Sequence, residues 1–226
     1  MFNNRKISAI ILAAGTGTRF GSEINKVYEM LNNKPIIEYS VNAFSEHQLI
    51  DEIFFVIKLG EEDLFERKLG KYKDRVNVVI GGNSRQESVK NALEKTNSDI
   101  VIIHDGARPF ITEKMITDCI HTMEEYPGCT VGVKSKDTIK ITNDSDIVTD
   151  TTIRKNTWII QTPQCFNEEI LKKAHFAELP YGVEMTDDCM LMEYFNHDVK
   201  LIEGSYNNIK ITLKEDLDIA EFMMKR

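Results

Sequence analysis

The residues of this chain that could do chemistry begin at a glycine-rich turn near its start. Residues 12–21 read Leu-Ala-Ala-Gly-Thr-Gly-Thr-Arg-Phe-Gly, and Lys26 follows five residues later. Glycines allow a backbone to approach a phosphate closely and to point its N–H groups at it. Arg19 and Lys26 add two cations to this turn, which is typical of a clamp that stabilises developing charge on a triphosphate. Either cation alone would equally be a solvated surface residue.

The spacing of these glycines excludes two familiar nucleotide sites. Gly15, Gly17 and Gly21 are spaced Gly-x-Gly-x-x-x-Gly, whereas the dinucleotide fingerprint needs Gly-x-Gly-x-x-Gly and the P-loop needs Gly-Lys-Ser/Thr after four residues. A dehydrogenase that uses NAD is further disfavoured, because no acidic residue ends the second predicted strand. A glycine turn of this kind can also be only a tight connection.

A carboxylate at the end of another apolar run is the second chemical feature. Residues 100–103 are apolar and are followed by His104 and Asp105, so Asp105 is expected at the carboxyl end of a strand, beside the glycine turn. Mg²⁺ prefers one or two carboxylates together with phosphate oxygens and water, so Asp105 is a candidate metal ligand. The alternative is a turn or cap aspartate. His104 is interpreted as structural, and Arg108 could pair with Asp105 or with a phosphate.

The elements that must position these residues alternate between strands and helices. Continuous apolar runs predict buried parallel strands at 7–12, 53–57, 76–80, 100–103 and 130–133. Helical patterns follow Pro35, cover 61–69 and 84–93, and follow Thr112, a candidate N-cap. This alternation predicts an α/β fold with a three-layer, mostly parallel, Rossmann-like sheet. Ligands bind such sheets at the carboxyl ends of the strands.

The alternation breaks after the fifth strand. Residues 134–154 are polar with alternating Ile and Val around the turn 143–146, which predicts a protruding β-hairpin. It could be a plain surface hairpin or an arm that covers another subunit. A strand from Trp158, helices from 167 and 187, a strand at 199–202 and a helix from Lys214 follow without a linker. The sequence therefore predicts one domain over 1–226, with a β-arm at about 134–155.

Charge and cysteine usage narrow the class of protein. The 28 basic and 36 acidic residues give a net charge of −8, which disfavours general binding to nucleic acid or to an anionic membrane. Residues 1–34 hold five basic and two acidic residues, so the region of the glycine turn is locally cationic. The four cysteines have no disulfide-framework or zinc-site spacing, which favours reduced thiols and a cytoplasmic location. The first apolar run is too short for a signal peptide or a membrane span.

Five further segments, in order along the chain, carry a resemblance to one enzyme family. They are Gly81–Val89, His104–Pro109, Gln161–Phe166, Thr186–Asp188 and Asn208–Thr212. Together with the glycine turn they resemble the 2-C-methyl-D-erythritol 4-phosphate cytidylyltransferases of non-mevalonate isoprenoid synthesis, over about Ile7 to Asp218. Ribitol-5-phosphate cytidylyltransferases of teichoic-acid or capsule synthesis share nearly all of these segments. Their first motif usually reads Ala-Gly-Gly where this chain has Ala-Ala-Gly at 13–15, so methylerythritol phosphate is favoured.

The resemblance implies transfer of a cytidylyl group from CTP to a polyol phosphate, with release of pyrophosphate. It implies Mg²⁺ or another divalent cation at Asp105 and a homodimer with a shared active site. The implied CTP-binding residues are Ala13, Ala14, Gly15, Gly17, Arg19, Lys26, Gly81, Gly82, Ser88, Asp105 and Gly106. The implied acceptor-binding residues are Arg108, Thr138, Arg154, Thr162, Thr186 and Lys210. The catalytic residues would be Arg19, Lys26, Arg154 and Lys210, with Arg154 supplied by the neighbouring subunit.

Other interpretations of these residues remain open at this point. Arg154 and Lys210 would each otherwise be surface cations, and Thr186 with the two aspartates after it also reads as a helix N-cap. A non-catalytic nucleotide sensor could use the same fold, because fold does not determine function. The joint presence of the cations and Asp105 argues against a sensor.

Three positions depart from the pattern usual in the family. Asn25 stands where a proline commonly precedes the lysine, and Val27 stands where glutamine is common. Both flank Lys26 and therefore bear on its setting. Gly106 stands where alanine is frequent, which is expected to cost only some stiffness of the loop.

Overall fold

The computed structural model describes residues 2–15, 17, 20–21, 24–180 and 185–225. Strands β1–β11 are Ile7–Leu12, Met30–Leu31, Lys34–Pro35, Glu52–Ile57, Asn77–Ile80, Ile100–Asp105, Gly128–Lys134, Lys140–Thr142, Val148–Thr151, Trp158–Asn167 and Val199–Glu203. Helices α1–α7 are Ile36–Glu46, Glu62–Leu69, Arg85–Leu93, Glu113–Thr122, Glu168–Phe176, Asp188–Tyr194 and Lys214–Met224. A single-turn 3-10 helix covers Lys26–Tyr28.

Seven of these strands form one sheet in the order β11-β7-β10-β6-β1-β4-β5. All neighbouring pairs are parallel except those of β10, which runs antiparallel to both β6 and β7. Strand β1 lies between β6 and β4, so Leu12 is paired with Asp105 on one side and with Val56 on the other. This arrangement confirms the predicted α/β, mostly parallel sheet and brings the glycine turn beside Asp105.

Helices cover both faces of the sheet, which explains the continuous apolar runs. Alternate residues of β1 point into two different cores: Ile7, Ala9 and Ile11 into one, and Ile10 into the other. Helices α1, α2 and α4 pack in the first core, and α3, α5 and α6 in the second. Strands β1, β4 and β6 are therefore covered on both faces, and the turns at their carboxyl ends have a rigid base. The edge strand β5 is more open than its apolar run predicts, because Asn77 and Val78 are exposed.

Side-chain caps set where several helices begin. Ser84, Thr112, Asn167 and Asp187 each accept a hydrogen bond from the backbone N–H three residues ahead. Such caps satisfy one of the N–H groups that a helix start leaves without a partner. The cap predicted at Thr112 is confirmed. The cap predicted before α6 lies one residue later than expected, at Asp187 instead of Thr186. Ser84 fixes the start of α3 next to the Gly81–Gly82 turn.

Strands β8 and β9 form the expected hairpin. They pair antiparallel, and Asn143 Oδ1 closes the turn by accepting from the N–H groups of Ser145 and Ile147, each at 3.1 Å. Every residue of both strands is exposed. Apolar side chains of the hairpin, such as Ile147 at 63% exposure, lie on the surface and not in a core.

Strand β10, which begins at Trp158, is longer than the apolar run Trp158–Ile160 predicts. It continues through the Gln161–Phe166 segment to Asn167. Its pairing with β7 is interrupted between Ile160 and Gln164.

Cys129 and Cys165 are directly opposite each other in β7 and β10, and Cys129 Sγ lies 3.5 Å from the carbonyl oxygen of Cys119. All four cysteines are free and buried, so three thiols that are isolated in the sequence are clustered in the core. Within the described ranges, no helix has the length and apolar character needed to cross a membrane.

Candidate active site

An open cavity of about 770 Å³ lies at the carboxyl ends of β1, β4, β5 and β6. Its volume is within the range typical of sites for small ligands. Ten of the residues expected from the sequence line it: Ala13, Ala14, Gly15, Gly17, Lys26, Gly81, Gly82, Ser88, Asp105 and Lys210. The fold therefore gathers most of the residues expected to bind the nucleotide at one sheet edge.

The two glycine turns touch each other, and this contact requires glycine. A Cβ atom on Gly81 would lie 2.6 Å from Ala14 Cβ and 2.8 Å from Ser88 Oγ. A Cβ atom on Gly82 would lie 2.3 Å from Glu87 Cβ. Ser88 Oγ accepts from the Gly82 N–H at 3.1 Å and donates to the Ser84 carbonyl at 2.8 Å. The serine hydroxyl thus fixes the second glycine turn to the start of α3.

Lys26 is carried by the single 3-10 turn that follows the glycine-rich segment. Val27 and Tyr28 are buried beneath this turn, while Lys26 is half-buried at the cavity. Gly17 has a φ of +60°, and a Cβ atom there would lie 3.6 Å from the Lys26 backbone nitrogen. Glycine adopts this left-handed conformation without penalty, so it lets the turn fold back onto the lysine. Arg19, the other cation expected here, lies outside the described residues.

Asp105 stands among three cations. Lys210 Nζ lies 2.8 Å from its Oδ2, Arg85 Nε 3.6 Å from its Oδ1, and Arg108 Nε 3.9 Å from its Oδ2. Burial alone would raise the pKa of Asp105, but Lys210 and Arg85 outweigh burial and hold that pKa well below its usual range. The carboxylate is therefore ionised at neutral pH and able to bind a cation.

The residues available to hold Mg²⁺ are few. No group of three or more His, Cys, Asp or Glu side chains is arranged for a metal in the described part of the chain. Among the described residues that line the cavity, Asp105 supplies the sole carboxylate. Mg²⁺ is often held by one or two carboxylates and by substrate phosphates, so this donor set fits Mg²⁺ that arrives with a triphosphate.

A chain of hydrogen bonds supports Asp105 from behind. Thr162 Oγ1 accepts from the Asp105 N–H at 3.0 Å and lies 3.1 Å from His104 Nδ1, and His104 Nε2 lies 3.2 Å from the Arg108 carbonyl. Burial lowers the pKa of His104 to about 4, so the ring is neutral at pH 7. A carbonyl can only accept, so Nε2 carries the proton and Nδ1 accepts from the Thr162 hydroxyl.

The hydrogen bonds of Thr162 show where this residue lies in the structure. The resemblance puts this threonine around the acceptor pocket, whereas the structure buries it behind Asp105 with its hydroxyl engaged on both sides. It does not line the cavity. In this structure Thr162 fixes the backbone of Asp105.

Arg108 also lies behind Asp105. Its side chain is 11% exposed, and its Nη1 donates to the Asn208 carbonyl at 2.8 Å. Burial lowers its pKa and the nearby Asp105 opposes that effect. The sequence left Asp105 and a phosphate open as partners of Arg108, and the structure places Asp105 at 3.9 Å. The arginine therefore joins the loop around Asn208 to the end of β6.

The structure gives glycine at 106 a packing role beside the expected cost in stiffness. A Cβ atom on Gly106 would lie 2.0 Å from Ile37 Cδ1 and 2.9 Å from the Leu12 carbonyl oxygen. Ile37 of α1 occupies the space that a side chain would need. Gly106 itself does not line the cavity, whereas its neighbour Ala107 does.

Arg85 is a site residue that was not singled out from the sequence. It follows the cap Ser84 at the start of α3 and lines the cavity. Its Nη1 lies 2.7 Å from Asp188 Oδ2, and Asp188 Oδ1 lies 2.9 Å from His175 Nε2. Arg85 therefore links Asp105 to Asp188 at the start of α6, which His175 of α5 also contacts. The available signal was its place inside the Gly81–Val89 segment; its carboxylate partners lie far away in the sequence.

Five expected acceptor residues lie away from the cavity lining: Arg108 and Thr162, which lie behind Asp105, and Thr138, Arg154 and Thr186. Arg154 Nη2 donates to Thr138 Oγ1 at 2.7 Å, and both residues are exposed at the base of the β8–β9 hairpin. Thr186 is exposed beside α6, with its hydroxyl 3.6 Å from Met190 Sδ. Asp187, the next residue, caps α6. Of the expected acceptor residues, only Lys210 lines the cavity within the described part of this chain.

Comparison with known proteins identifies the family. The family model for 2-C-methyl-D-erythritol 4-phosphate cytidylyltransferase (IspD) matches residues 7–226. The chain belongs to this family. A relative with that name from Clostridium tetani is 44% identical over 98% of this chain and 91% of its own length, and one from Clostridium beijerinckii is 43% identical over 97% and 98%. The crystal structure of 4-diphosphocytidyl-2C-methyl-D-erythritol synthase from Anaerococcus prevotii is 34% identical, covers 98% of this chain and 97% of its own, and has a TM-score of 0.87.

Membership of the 2-C-methyl-D-erythritol 4-phosphate cytidylyltransferase family makes this chain a nucleotidyltransferase enzyme. It confirms the resemblance drawn from the six motifs. The ribitol-phosphate alternative is not favoured, because the matching family and these relatives carry the methylerythritol name.

Proposed function

We propose that the cavity transfers the cytidylyl group of CTP to 2-C-methyl-D-erythritol 4-phosphate and releases pyrophosphate. The observation that carries this proposal is the ion pair of Lys210 and Asp105 at the floor of a cavity that also contains Lys26 and the two glycine turns. This arrangement offers backbone N–H groups, cations and one carboxylate, which is what a nucleoside triphosphate and a phosphorylated acceptor need. The reaction belongs to non-mevalonate isoprenoid synthesis.

The chemistry needs positioning more than proton transfer. An oxygen of the acceptor phosphate attacks the α-phosphorus of CTP and forms a new P–O bond, while the bond to the β-phosphate breaks and its electron pair leaves with pyrophosphate. A phosphate monoester dianion is already a nucleophile, so no general base is required. Catalysis then depends on holding the groups in line and on stabilising the added charge, which explains a site made of Lys and Arg side chains.

Each part of the site has a proposed task. Backbone groups of Ala13, Ala14, Gly15 and Gly17 hold the triphosphate, and the segment from Gly81 to Ser88 holds the cytosine and ribose. Lys26 and Arg19 stabilise the charge on the α-phosphate and on the departing pyrophosphate. Asp105 would hold Mg²⁺, which would neutralise part of the triphosphate charge. Lys210, together with Arg154, holds the acceptor phosphate.

A pyrophosphate-release assay tests the reaction. CTP is supplied with methylerythritol phosphate, ribitol phosphate or glycerol phosphate, with and without Mg²⁺. Release with methylerythritol phosphate and Mg²⁺ is expected. Release with ribitol phosphate alone would instead favour the ribitol enzyme, and no release with any acceptor would favour a nucleotide sensor. Lys26→Ala should lower kcat by a large factor with a smaller change in CTP affinity, whereas Lys114→Ala, in an exposed pair with Asp118, should change neither.

We also propose that the enzyme is a homodimer in which the arm at about 134–155 completes the partner's site. The support is that Arg154 and Thr138 are bound to each other outside the cavity lining, on a hairpin with exposed Ile and Val side chains. Light scattering at micromolar concentration should give the dimer mass. If sites are shared, a refolded mixture of Lys26→Ala and Arg154→Ala should regain about a quarter of the wild-type activity, since half of the dimers have one intact site. A fully active monomer would contradict the arm's function.

We propose a cytoplasmic location for the enzyme. The support is that all four cysteines are free and buried, which fits a reducing compartment. A fluorescent fusion of the full chain should label the cytoplasm evenly, and recovery in a secreted fraction would contradict the proposal.

A further inference from the structure

We propose that Asn25 is a positioning residue that holds the Lys26 turn in place through its side-chain amide; this inference rests on the proposed function of Lys26. Asn25 directly precedes the 3-10 turn, and its side chain is buried with the residue 7% exposed. Its Nδ2 donates to the Ala13 carbonyl at 2.5 Å, and its Oδ1 accepts from the Val27 N–H at 3.4 Å. The amide therefore ties the lysine turn to the end of β1.

The same amide reaches a third segment. Asn25 Nδ2 lies 3.3 Å from Glu61 Oε2, and the Lys58 N–H donates to that carboxylate oxygen at 3.4 Å. Glu61 immediately precedes α2 and Lys58 follows β4. The two hydrogens of one amide group are thus used on two separate acceptors. Asn25 links the glycine turn, the lysine turn and the β4–α2 loop through one side chain.

The lysine turn needs such an anchor because it is short. A single 3-10 turn has little stability of its own, and within the turn the Tyr28 N–H bonds back to the Asn25 carbonyl at 2.9 Å. A displacement of about 1 Å in a positioning group costs on the order of 100-fold in rate. Loss of the amide bridge would allow the Lys26 ammonium to move relative to the glycine turn, while the binding surface formed by Gly81 and Ser88 would stay unchanged.

Asn25 lines the cavity, but its contacts indicate a positioning residue and not a substrate ligand. Both amide hydrogens and the amide oxygen are engaged with protein groups. Its effect should therefore be transmitted through Lys26 and should appear in kcat more than in the KM for CTP.

The test is a double-mutant cycle in the full enzyme. Asn25→Ala should lower kcat about 10- to 100-fold with the KM for CTP changed by less than about 3-fold. In a Lys26→Ala background the same substitution should have no further effect on kcat. Asn91→Ala is the matched control, because Asn91 Nδ2 donates to the Ile80 carbonyl at 3.1 Å at another strand end without contacting the lysine turn; its kcat should match wild type.

The outcomes separate the inference from the function on which it rests. Thermal unfolding of each variant identifies any loss of activity that comes from misfolding. Asn25→Asp, which places an oxygen against Glu61 and the Ala13 carbonyl, is measured in the same way. Wild-type kcat in Asn25→Ala, or equal losses with and without Lys26, would overturn the positioning role. Wild-type kcat in Lys26→Ala would instead overturn the proposed function of Lys26.

Discussion

Lys210 Nζ lies 2.8 Å from Asp105 Oδ2, although the two residues are 105 positions apart in the chain. The lysine side chain is 42% exposed, whereas that of Asp105 is 12% exposed, so the pair is open to the cavity on the lysine side. The resemblance assigns Lys210 to the acceptor and Asp105 to a metal on CTP. Their contact means that the two proposed ligand sites adjoin, which is the requirement for direct transfer between bound phosphates.

Lys210→Gln should weaken binding of the acceptor. We expect a KM for methylerythritol phosphate raised on the order of 10-fold or more, because a charge-assisted contact to phosphate is lost, and a KM for CTP that changes much less. Steady-state kinetics with each substrate varied in turn would show this. Lys173→Gln, which removes an exposed lysine paired with Glu169, is the control. A rise confined to the KM for CTP would contradict the assignment.

Asp188→Asn should destabilise the fold. The Asp188 side chain is 2% exposed and is bound by Arg85 at 2.7 Å and His175 at 2.9 Å. Removal of one partner from a buried ion pair costs about 3 kcal/mol or more, because the remaining charge is left uncompensated. Urea unfolding would measure the loss. Glu169→Gln, in an exposed pair, should leave the unfolding midpoint unchanged, and an equally stable Asp188→Asn would show that the buried charges do not support the site.

Gly81→Ala should separate the two glycine turns. Its new Cβ atom would lie 2.6 Å from Ala14 Cβ, and overpacking of this kind costs about 1–3 kcal/mol. We expect weaker CTP binding by on the order of 10-fold, measured by calorimetry. Gly70→Ala is the control, since a Cβ atom there would meet only the flexible side chain of Glu66 at 3.2 Å. CTP affinity equal to wild type in Gly81→Ala would show that the turns can separate without loss.

His104 should make the metal-free protein less stable in mild acid. Burial lowers its pKa from 6.5 to about 4 in the folded protein, so the unfolded chain binds more protons between pH 6.5 and pH 4. Stability therefore falls as the pH drops through this window. The share of His104 is about 2 kcal/mol between pH 7 and pH 5.

Urea unfolding at both pH values, compared with His104→Gln, would measure that share. The variant should show a smaller loss from pH 7 to pH 5 than wild type. His47, whose pKa is also lowered by burial, titrates in both proteins and cancels in the comparison. An identical loss in the variant would contradict the neutral, buried state of His104.

Much of the architecture was predictable from local patterns. The five apolar runs predicted strands because parallel strands covered on both faces must be apolar on both faces. Helix starts were predictable at Thr112 and, to within one residue, in the Thr186–Asp188 segment, because capping depends on residues only three positions apart. The family was predictable from six ordered motifs. The long strand β10 was predicted only from Trp158 to Ile160, because its continuation is polar and is buried by neighbouring strands.

Tertiary structure alone decided which side chains meet. In the sequence Arg85 resembles a solvated helix residue, whereas in the structure it binds Asp188, which is 103 positions away. Thr162 reads as a pocket threonine until its hydroxyl is placed between the Asp105 N–H and His104. Ile37 of α1 fills the space beside Gly106, and Asn25 has its acceptors just after β1 and just before α2. Sequence periodicity reports which face of an element is buried, whereas a hydrogen bond or a close contact depends on atoms brought together from distant segments.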